Sequence, residues 1–188
     1  MTIHLIRHGT TEANEKQLYY GWTDLPLSEQ GRKDLIALKE TGIYENADIY
    51  ITSGLARADE SLQILYGREP DIIVEEFKEM NFGAFEMKSH DELIDDPEYQ
   101  RFITGGSSAA CPGGESRDAF KKRVKAGLKK LYSIKSESIA VICHGGAIVT
   151  IMEHYFPGQK EYYEWVPDNG RGYILDIANK RKAEWRSL

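Results

Sequence analysis

Two histidine–glycine pairs and two arginines are the residues of this sequence whose types and spacing could do chemistry. His8-Gly9 follows Arg7 at the end of a short apolar run, and His144-Gly145 ends a second run of that kind. Arg57 lies just after a third. Arginine pairs well with phosphate, and glycine lets backbone N–H groups approach an anion. A single histidine at a strand end is more often solvated or part of the core, so the spacing alone leaves an anion site and an ordinary structural role both open.

These residues meet only if the strands before them are neighbours in one sheet. Short apolar runs predict strands at residues 2–6, 48–52, 72–74, 139–143 and 173–177, the last being the final strand. Helical spacing predicts helices at 28–40, 55–66, 116–131 and 147–155, with Ser116 as the N-cap of the third. The alternation predicts one α/β domain over residues 1–188, with a mostly parallel sheet and helices on both faces. Ligands of such sheets collect at the carboxyl ends of the strands, where the two histidines and Arg57 would meet.

The segment 89–114 departs from this alternation. It is polar and rich in residues that interrupt regular structure: Pro97, Gly105, Gly106, Pro112, Gly113 and Gly114. We expect one or two short helices and an irregular stretch there, which together form a small cap.

Composition and charge restrict the classes of partner. The chain has 188 residues and a formal net charge of −6. An acidic surface argues against nucleic acid or an anionic membrane as the main partner, so an anionic substrate would need a locally positive pocket. No apolar run of about 18 residues predicts a transmembrane helix. Two cysteines, Cys111 and Cys143, do not make a disulfide framework, and no secretory signal is recognised, so we expect a cytoplasmic protein. The sequence does not predict an oligomeric state.

Motifs of other chemistries are absent from the sequence. There is no G-x-x-x-x-G-K-[ST] phosphate loop and no G-x-G-x-x-G fingerprint. No H-E-x-x-H or C-x-x-C pair offers a metal site, and no serine lies in a G-x-S-x-G elbow. The sequence therefore contains no motif that predicts a metal ion or a cofactor, and we expect neither.

The run from Leu5 to Asn14 resembles the opening signature of the histidine phosphatase superfamily, which includes the cofactor-dependent phosphoglycerate mutases. Four further segments resemble motifs of that family in the same order. They are Gly21–Gly31 (G-x-x-D-x-P-L-[ST]-x-x-G), Ser53–Ala58 (S-x-L-x-R-A), Glu79–Glu86 (E-x-x-F-G-x-W-E) and Cys143–Gly146, which holds the second histidine. The resemblance implies a phosphoglycerate mutase-like fold and phosphomonoester chemistry on a small phosphorylated substrate.

The resemblance also implies roles for individual residues. His8 would attack phosphorus in line as a neutral imidazole and form a phosphohistidine. Glu79 would protonate the leaving alkoxide and then activate water. Preorganised positive charge would offset the charge of the phosphoryl oxygens without a metal ion. The residues implied to bind the phosphate are Arg7, Asn14, Gly21, Arg57, His144 and Gly145.

Within the superfamily, the run Glu79–Leu93 is most similar to the α-ribazole phosphatases of cobalamin assembly. This implies α-ribazole 5′-phosphate or a similar small phosphomonoester as the substrate. A phosphoglycerate mutase or a broad-specificity phosphatase is the alternative, and a phosphate-binding module without turnover is a third class.

Several positions depart from the family pattern. Glu60, where glutamine is usual, would temper the charge of Arg57, and Met87 follows Glu86 where glycine is usual.

Overall fold

The computed structural model describes residues 1–179 and 182–188, and a six-stranded mixed sheet forms the centre of this described part. The strands of this sheet are β1 (Thr2–Arg7), β3 (Ile49–Thr52), β4 (Ile72–Ile73), β6 (Ser138–Cys143), β7 (Gly172–Asn179) and β8 (Lys182–Ser187). Their order across the sheet is β4-β3-β6-β1-β7-β8. The first four are mutually parallel, whereas β7 and β8 are antiparallel to their neighbours. A separate antiparallel pair joins β2 (Leu18–Tyr19) to β5 (Lys88–Ser89).

Helices connect the strands and cover the sheet. They are α1 (Glu12–Glu15), α2 (Glu29–Glu40), α3 (Ala56–Tyr66), α4 (His90–Leu93), α5 (Pro97–Thr104), α6 (Arg117–Leu131) and α7 (Gly145–Tyr155). Ser116 caps α6 as predicted, since its hydroxyl accepts a hydrogen bond from the Ala119 N–H at 3.1 Å. Within the described residues, no helix combines the length and apolar character needed to cross a membrane.

The two faces of the sheet bury two separate hydrophobic clusters. Because successive side chains of a strand point to opposite faces, Leu5 of β1 packs into one cluster and Ile6 into the other. The first cluster includes Val124 of α6 and Ile148 of α7, and the second includes Leu62 of α3 together with apolar residues of α2. The predicted fold, a mostly parallel sheet with helices on both faces, is therefore confirmed.

Three neighbouring parallel strands end at the same edge of the sheet. In the register of β1 and β6, Arg7 lies beside Cys143, so His8 and His144 are the next residues on adjacent strands. Strand β3 pairs Thr52 with Ile142 of β6, so Ser53 follows on the other side of β6 beside Cys143, one residue before His144. The His8 N–H donates to the Cys143 carbonyl at 3.0 Å and continues the ladder by one residue. Backbone register alone thus brings both histidines together.

The segment 89–114 contains the two short helices α4 and α5, followed by an irregular stretch that closes with a bridge between Ala110 and Ser116. Its apolar side chains Leu93, Tyr99 and Phe102 are buried in the larger hydrophobic cluster. The segment is therefore anchored to the core by these residues, and its role as a cap stays a prediction.

The structure corrects two predicted boundaries. The strand predicted as the last one is followed by β8, which forms the edge of the sheet. Only one face of an antiparallel edge strand is covered, so β8 is mostly polar and lacks an apolar run. Helix α7 begins at Gly145, two residues before the predicted start.

Met87 occupies a strained backbone conformation. Its φ of +63° lies in the left-handed region that favours glycine, the residue usual at this position in the family that the sequence resembles. A side chain in this conformation destabilises the folded state by about 1–2 kcal/mol, and replacing it with glycine removes this strain. Part of the stabilisation is lost, because glycine has more conformational freedom in the unfolded chain. We expect Met87→Gly to raise the free energy of unfolding by about 0.5–1 kcal/mol, measured by urea denaturation.

Lys88→Gly is the matched control, because Lys88 is exposed and lies in strand β5. Glycine within a strand is expected to lower the free energy of unfolding by a similar amount. A lower urea midpoint for Met87→Gly would show that contacts of the methionine side chain outweigh the backbone strain.

Candidate active site

His8 is held in one orientation at the end of β1. Its side chain is buried, and its Nδ1 lies 2.6 Å from the Gly9 carbonyl oxygen, which can only accept a hydrogen bond. The proton therefore belongs on Nδ1, and Nε2 keeps its lone pair for the cavity. Gly9 is fixed in turn by a hydrogen bond from its N–H to the Ser61 hydroxyl at 2.9 Å. Asn169 donates to the His8 carbonyl at 2.9 Å.

His144 lies against His8, with 5.0 Å between the ring centroids. Its Nε2 is 2.8 Å from the Ser53 hydroxyl, and its Nδ1 accepts a hydrogen bond from Arg57 Nε at 3.3 Å. Since Nδ1 accepts, the proton belongs on Nε2 and is donated to Ser53. Ser53 therefore fixes the orientation of the second histidine.

Both imidazoles are held in their neutral form. Burial lowers the pKa of His8 well below its ordinary value, and the positive charges of Arg57 and Arg7 lower it further. Burial also lowers the pKa of His144 well below its ordinary value, again with help from Arg57. A neutral His8 with a free Nε2 has the form required of a nucleophile.

Arg57 places a buried positive charge at the site. The residue is fully buried, and within the described part of the chain no carboxylate forms an ion pair with it. Its guanidinium instead donates to the carbonyls of Gly21 (2.7 Å) and Thr23 (3.1 Å) and lies 4.6 Å from the centre of the Tyr20 ring. Burial lowers the pKa of Arg57, but an arginine side chain stays charged in a folded protein.

Further donors surround the same space. Arg7 donates from Nη1 to the Pro167 carbonyl at 2.8 Å, while its buried Nε has no hydrogen-bond partner among the described residues. The Asn14 oxygen accepts from Thr11 and Tyr20, which leaves its NH₂ group for the cavity. Gly145 lines the cavity at the first turn of α7, where backbone N–H groups lack acceptors within the helix. These are the groups that bind an anion.

Glu79 lines the same cavity as the arginines and is fixed by two backbone N–H groups. Its Oε2 accepts from Gly146 at 2.9 Å, and its Oε1 accepts from Met80 at 2.8 Å. A Cβ at Gly146 would lie 2.5 Å from the Glu79 carboxylate, so only glycine permits this approach. The start of α7 therefore positions the carboxylate.

Four positioning residues escaped the sequence analysis. Arg123 pairs with the Glu115 carboxylate at 2.7 Å and donates to the Glu79 carbonyl at 3.1 Å, so it holds the segment that carries Glu79. Glu86 accepts from the N–H groups of residues 21, 22, 23 and 82 and thereby fixes the loop that holds Arg57. Ser53 is the fourth. Glu86 and Ser53 belong to recognised motifs, whereas no sequence signal marked Arg123 or Glu115.

Some of the predicted contacts of individual residues are absent from the structure. Gly21 does not line the cavity, because its N–H donates to Glu86 at 2.9 Å and its carbonyl accepts from Arg57. Glu60 does not temper the charge of Arg57, because its carboxylate pairs with Arg32 and accepts from the Leu27 N–H. The other predicted site residues, Arg7, His8, Asn14, Arg57, Glu79, His144 and Gly145, lie together. Of these, His144 does not line the cavity, and its two ring nitrogens are engaged by Ser53 and Arg57.

The cavity above these groups has a volume of about 710 Å³. Of the described residues that line it, Arg7, Arg57, Arg117 and Lys121 are positive and Glu79 alone is negative. Most of its other lining residues are apolar or aromatic, namely Leu18, Tyr19, Tyr20, Met80, Phe82, Phe102, Ile103, Phe120, Tyr162 and Tyr163. In the part of the chain that the structure describes, no group of three or more His, Cys, Asp or Glu side chains could hold a metal ion.

Comparison with known proteins places these features in a family. Residues 3–186 match the model of the histidine phosphatase superfamily (branch 1). The adenosylcobalamin/alpha-ribazole phosphatase of Salmonella typhimurium is 32% identical over 153 residues, which cover 79% of this chain and 76% of the relative.

Two solved structures extend the likeness to the whole fold. The alpha-ribazole phosphatase from Shigella flexneri superposes with a TM-score of 0.87 at 27% identity, covering 100% of this chain and 96% of the other. The phosphoglycerate mutase from Thermus thermophilus superposes with a TM-score of 0.74 at 27% identity, covering 98% and 96%. The similar proteins thus include both phosphatases and mutases.

The hydrogen bonds of the two histidines predict their tautomers. We expect His8 to carry its proton on Nδ1 and His144 on Nε2, and neither ring to titrate near pH 6.5, because burial and nearby arginines lower both pKa values. Two-bond ¹H–¹⁵N correlation spectra between pH 5 and 8 measure both properties.

Ser53→Ala provides the control for this experiment. It removes the acceptor of the His144 proton and should change the His144 ring signals, while the His8 signals keep their Nδ1–H pattern. A His8 ring that gains a proton near pH 6.5 would contradict the assignment.

Proposed function

The chain belongs to branch 1 of the histidine phosphatase superfamily, and we propose that it is a phosphomonoesterase acting through a phosphohistidine on His8. Members of this superfamily with similar sequences are phosphatases and mutases, so phosphoryl transfer is the shared chemistry. The finer assignment, hydrolysis of a small phosphomonoester, is the proposal.

One observation carries the proposal. The Nδ1 proton of His8 is used by the Gly9 carbonyl, so the lone pair of Nε2 is directed to a cavity that Arg7 and Arg57 make positive. A nucleophile and an anion receptor therefore share one space. A module that only binds phosphate would not need a neutral imidazole with a free nitrogen, nor a carboxylate fixed in the same cavity as the arginines.

The first half-reaction transfers the phosphoryl group to the enzyme. A bond forms between His8 Nε2 and phosphorus while the bond from phosphorus to the leaving oxygen breaks. Arg7, Arg57 and the amide of Gly145 stabilise the charge on the equatorial oxygens. Glu79 gives a proton to the leaving oxygen, and the alcohol departs.

The second half-reaction returns the enzyme to its starting state. Glu79, now a carboxylate, takes a proton from a water molecule as that water attacks phosphorus. The bond between phosphorus and His8 Nε2 breaks, and inorganic phosphate is released. The backbone N–H groups of Gly146 and Met80 hold Glu79 in place for both steps.

α-Ribazole 5′-phosphate, an intermediate of cobalamin assembly, is the substrate that we propose. Support comes from the similarity to the alpha-ribazole phosphatases of Salmonella typhimurium and Shigella flexneri. The cavity supports it as well, because its lining includes Phe82, Phe102 and several tyrosines, which suit an aromatic leaving group.

The intermediate can be trapped directly. We expect the wild-type protein to take up ³²P from labelled substrate in an acid-labile, base-stable form, as a phosphoramidate requires. His8→Ala should abolish the label and lower kcat/KM by about 1,000-fold or more, because the nucleophile is lost.

His154→Ala is the matched control, since His154 is exposed and does not line the cavity. It should keep both the label and the activity. Turnover that persists without His8 would overturn the proposed mechanism, and a stable phosphate complex without any turnover would favour a binding module.

A substrate panel tests the finer assignment. We expect kcat/KM for α-ribazole 5′-phosphate to exceed that for p-nitrophenyl phosphate and for dephosphorylation of 3-phosphoglycerate by about tenfold or more. The ribazole group is larger than either of the other leaving groups, and the additional apolar surface that it buries is worth at least about 1.4 kcal/mol. Interconversion of 3- and 2-phosphoglycerate as the dominant reaction would identify a mutase instead. Equal rates across the panel would identify a broad-specificity phosphatase.

A further inference from the structure

The cavity extends well beyond the space that a phosphoryl group occupies. Its volume of about 710 Å³ lies in the range of sites for drug-sized ligands. His8 and Arg57 line it and are buried, whereas Tyr163 lines it and is 86% exposed. The proposed phosphoryl site therefore lies at the inner end of the cavity and Tyr163 lies at its mouth. A large leaving group extends from the inner end towards Tyr163.

Most of the aromatic rings that line the cavity are engaged by other groups of the protein. Tyr20, Phe102 and Phe120 are buried, and each has an arginine guanidinium 4.6–5.2 Å from its ring centre. The rings of Tyr19 and Phe82 pack against each other, with 5.2 Å between their centroids. These five rings thus form the wall of the cavity, but their faces are at least partly covered.

Tyr163 differs from these rings in its exposure. Its ring contacts Tyr162 in an edge-to-face arrangement, with 5.3 Å between the centroids and 81° between the planes. A single contact of this kind cannot cover both faces of a ring, and Tyr163 is the most exposed of the described aromatic residues that line the cavity. An open face of an aromatic ring at the mouth of a cavity is a surface on which a planar group can stack.

The backbone of Tyr163 is fixed although its side chain is exposed. Tyr163 belongs to the 3₁₀ turn Tyr162–Trp165, which begins with a capping box in which the Glu161 N–H donates to Glu164 at 2.7 Å. The turn ends at Trp165, whose side chain is fully buried in the larger hydrophobic cluster. A ligand that stacks on Tyr163 therefore does not have to order this part of the backbone, which favours binding.

An exposed tyrosine is common on protein surfaces and by itself indicates no site. Tyr163 differs from such a residue because it lines the cavity that contains the proposed nucleophile. Its ring also contributes little buried apolar surface to the fold, so packing does not explain an aromatic residue at this position.

We infer that the Tyr163 ring stacks on a planar aromatic group carried by the leaving group of the substrate. The inference rests on the proposed phosphomonoesterase function, which places the phosphoryl group at His8. It adds a specificity-determining residue to that function. It also agrees with α-ribazole 5′-phosphate as the substrate, because the leaving group of that compound is neutral and carries an aromatic ring system.

Alkylphosphonates test this inference without turnover, because their C–P bond is not cleaved. The probes end in a naphthyl group, or in the saturated decahydronaphthyl group of the same carbon skeleton, on arms of two, four or six methylene groups. Both groups are apolar and similar in size, so the ratio of their affinities reports on stacking rather than on burial. We expect at least one naphthyl probe to bind the wild-type protein about threefold to tenfold more tightly than its saturated partner, measured by calorimetry.

Two variants assign the effect to the ring of Tyr163. Tyr163→Leu keeps an apolar side chain but removes the aromatic face, and it should bring the ratio of the two affinities to about one. Tyr163→Phe is the matched control, because it removes the hydroxyl and keeps the ring, and it should retain the ratio. Since Tyr163 is exposed, neither change should alter the urea midpoint, and a loosened turn would weaken both members of a probe pair.

The outcomes separate this inference from the proposed function. Equal affinities of the two groups for the wild-type protein at every arm length, or a preference retained by Tyr163→Leu, would overturn the inference. Turnover of p-nitrophenyl phosphate by the wild-type protein tests the phosphatase function independently. Its absence would overturn that function, while the phosphonate result still decides whether Tyr163 binds an aromatic group.

Discussion

The buried charge of Arg57 is the constraint on which the rest of the site depends. Removing a guanidinium from water is costly, and here two loop carbonyls and the Tyr20 ring offset that cost in place of a carboxylate. Because these partners are neutral, the positive field extends into the cavity. The same field, together with burial, keeps His8 and His144 unprotonated. One charge thus acts on both the proposed nucleophile and the proposed site for the phosphoryl group.

The carboxylates around the site are arranged to preserve that field. Glu86 is tied to loop N–H groups, and its pKa is lowered because hydrogen bonds from Thr23 and its neighbours outweigh the effect of burial. Glu115 is paired with Arg123 behind the Glu79 segment. Of the described residues, Glu79 is the only acidic one that lines the cavity. In a protein of net charge −6, negative charge is therefore excluded from the cavity except where a proton must be moved.

The features that could be predicted from the sequence are the strands buried on both faces of the sheet and the residues at their ends. Parallel strands covered on both faces leave apolar runs, so the positions of His8 and His144 at strand ends could be predicted, and the parallel register then brings them together. Strand β8 could not be predicted in this way, because an edge strand is apolar on one face only. The contacts of Gly21 could not be predicted either. Its acceptor, Glu86, is 65 residues away along the chain, and the pairing depends on how two loops meet.

Strand β1 lies between β6 and β7, with hydrogen-bonded ladders on both sides. Segments near the surface of a protein can open while the central ladder stays closed, whereas the central strand is released only when the whole sheet unfolds. We therefore expect His8, the proposed nucleophile, to belong to the cooperative unit that unfolds last. Destabilising changes far from the cavity would lower the fraction of folded molecules without altering the reactivity of each one, so specific activity per folded molecule and thermodynamic stability are separable quantities in this protein.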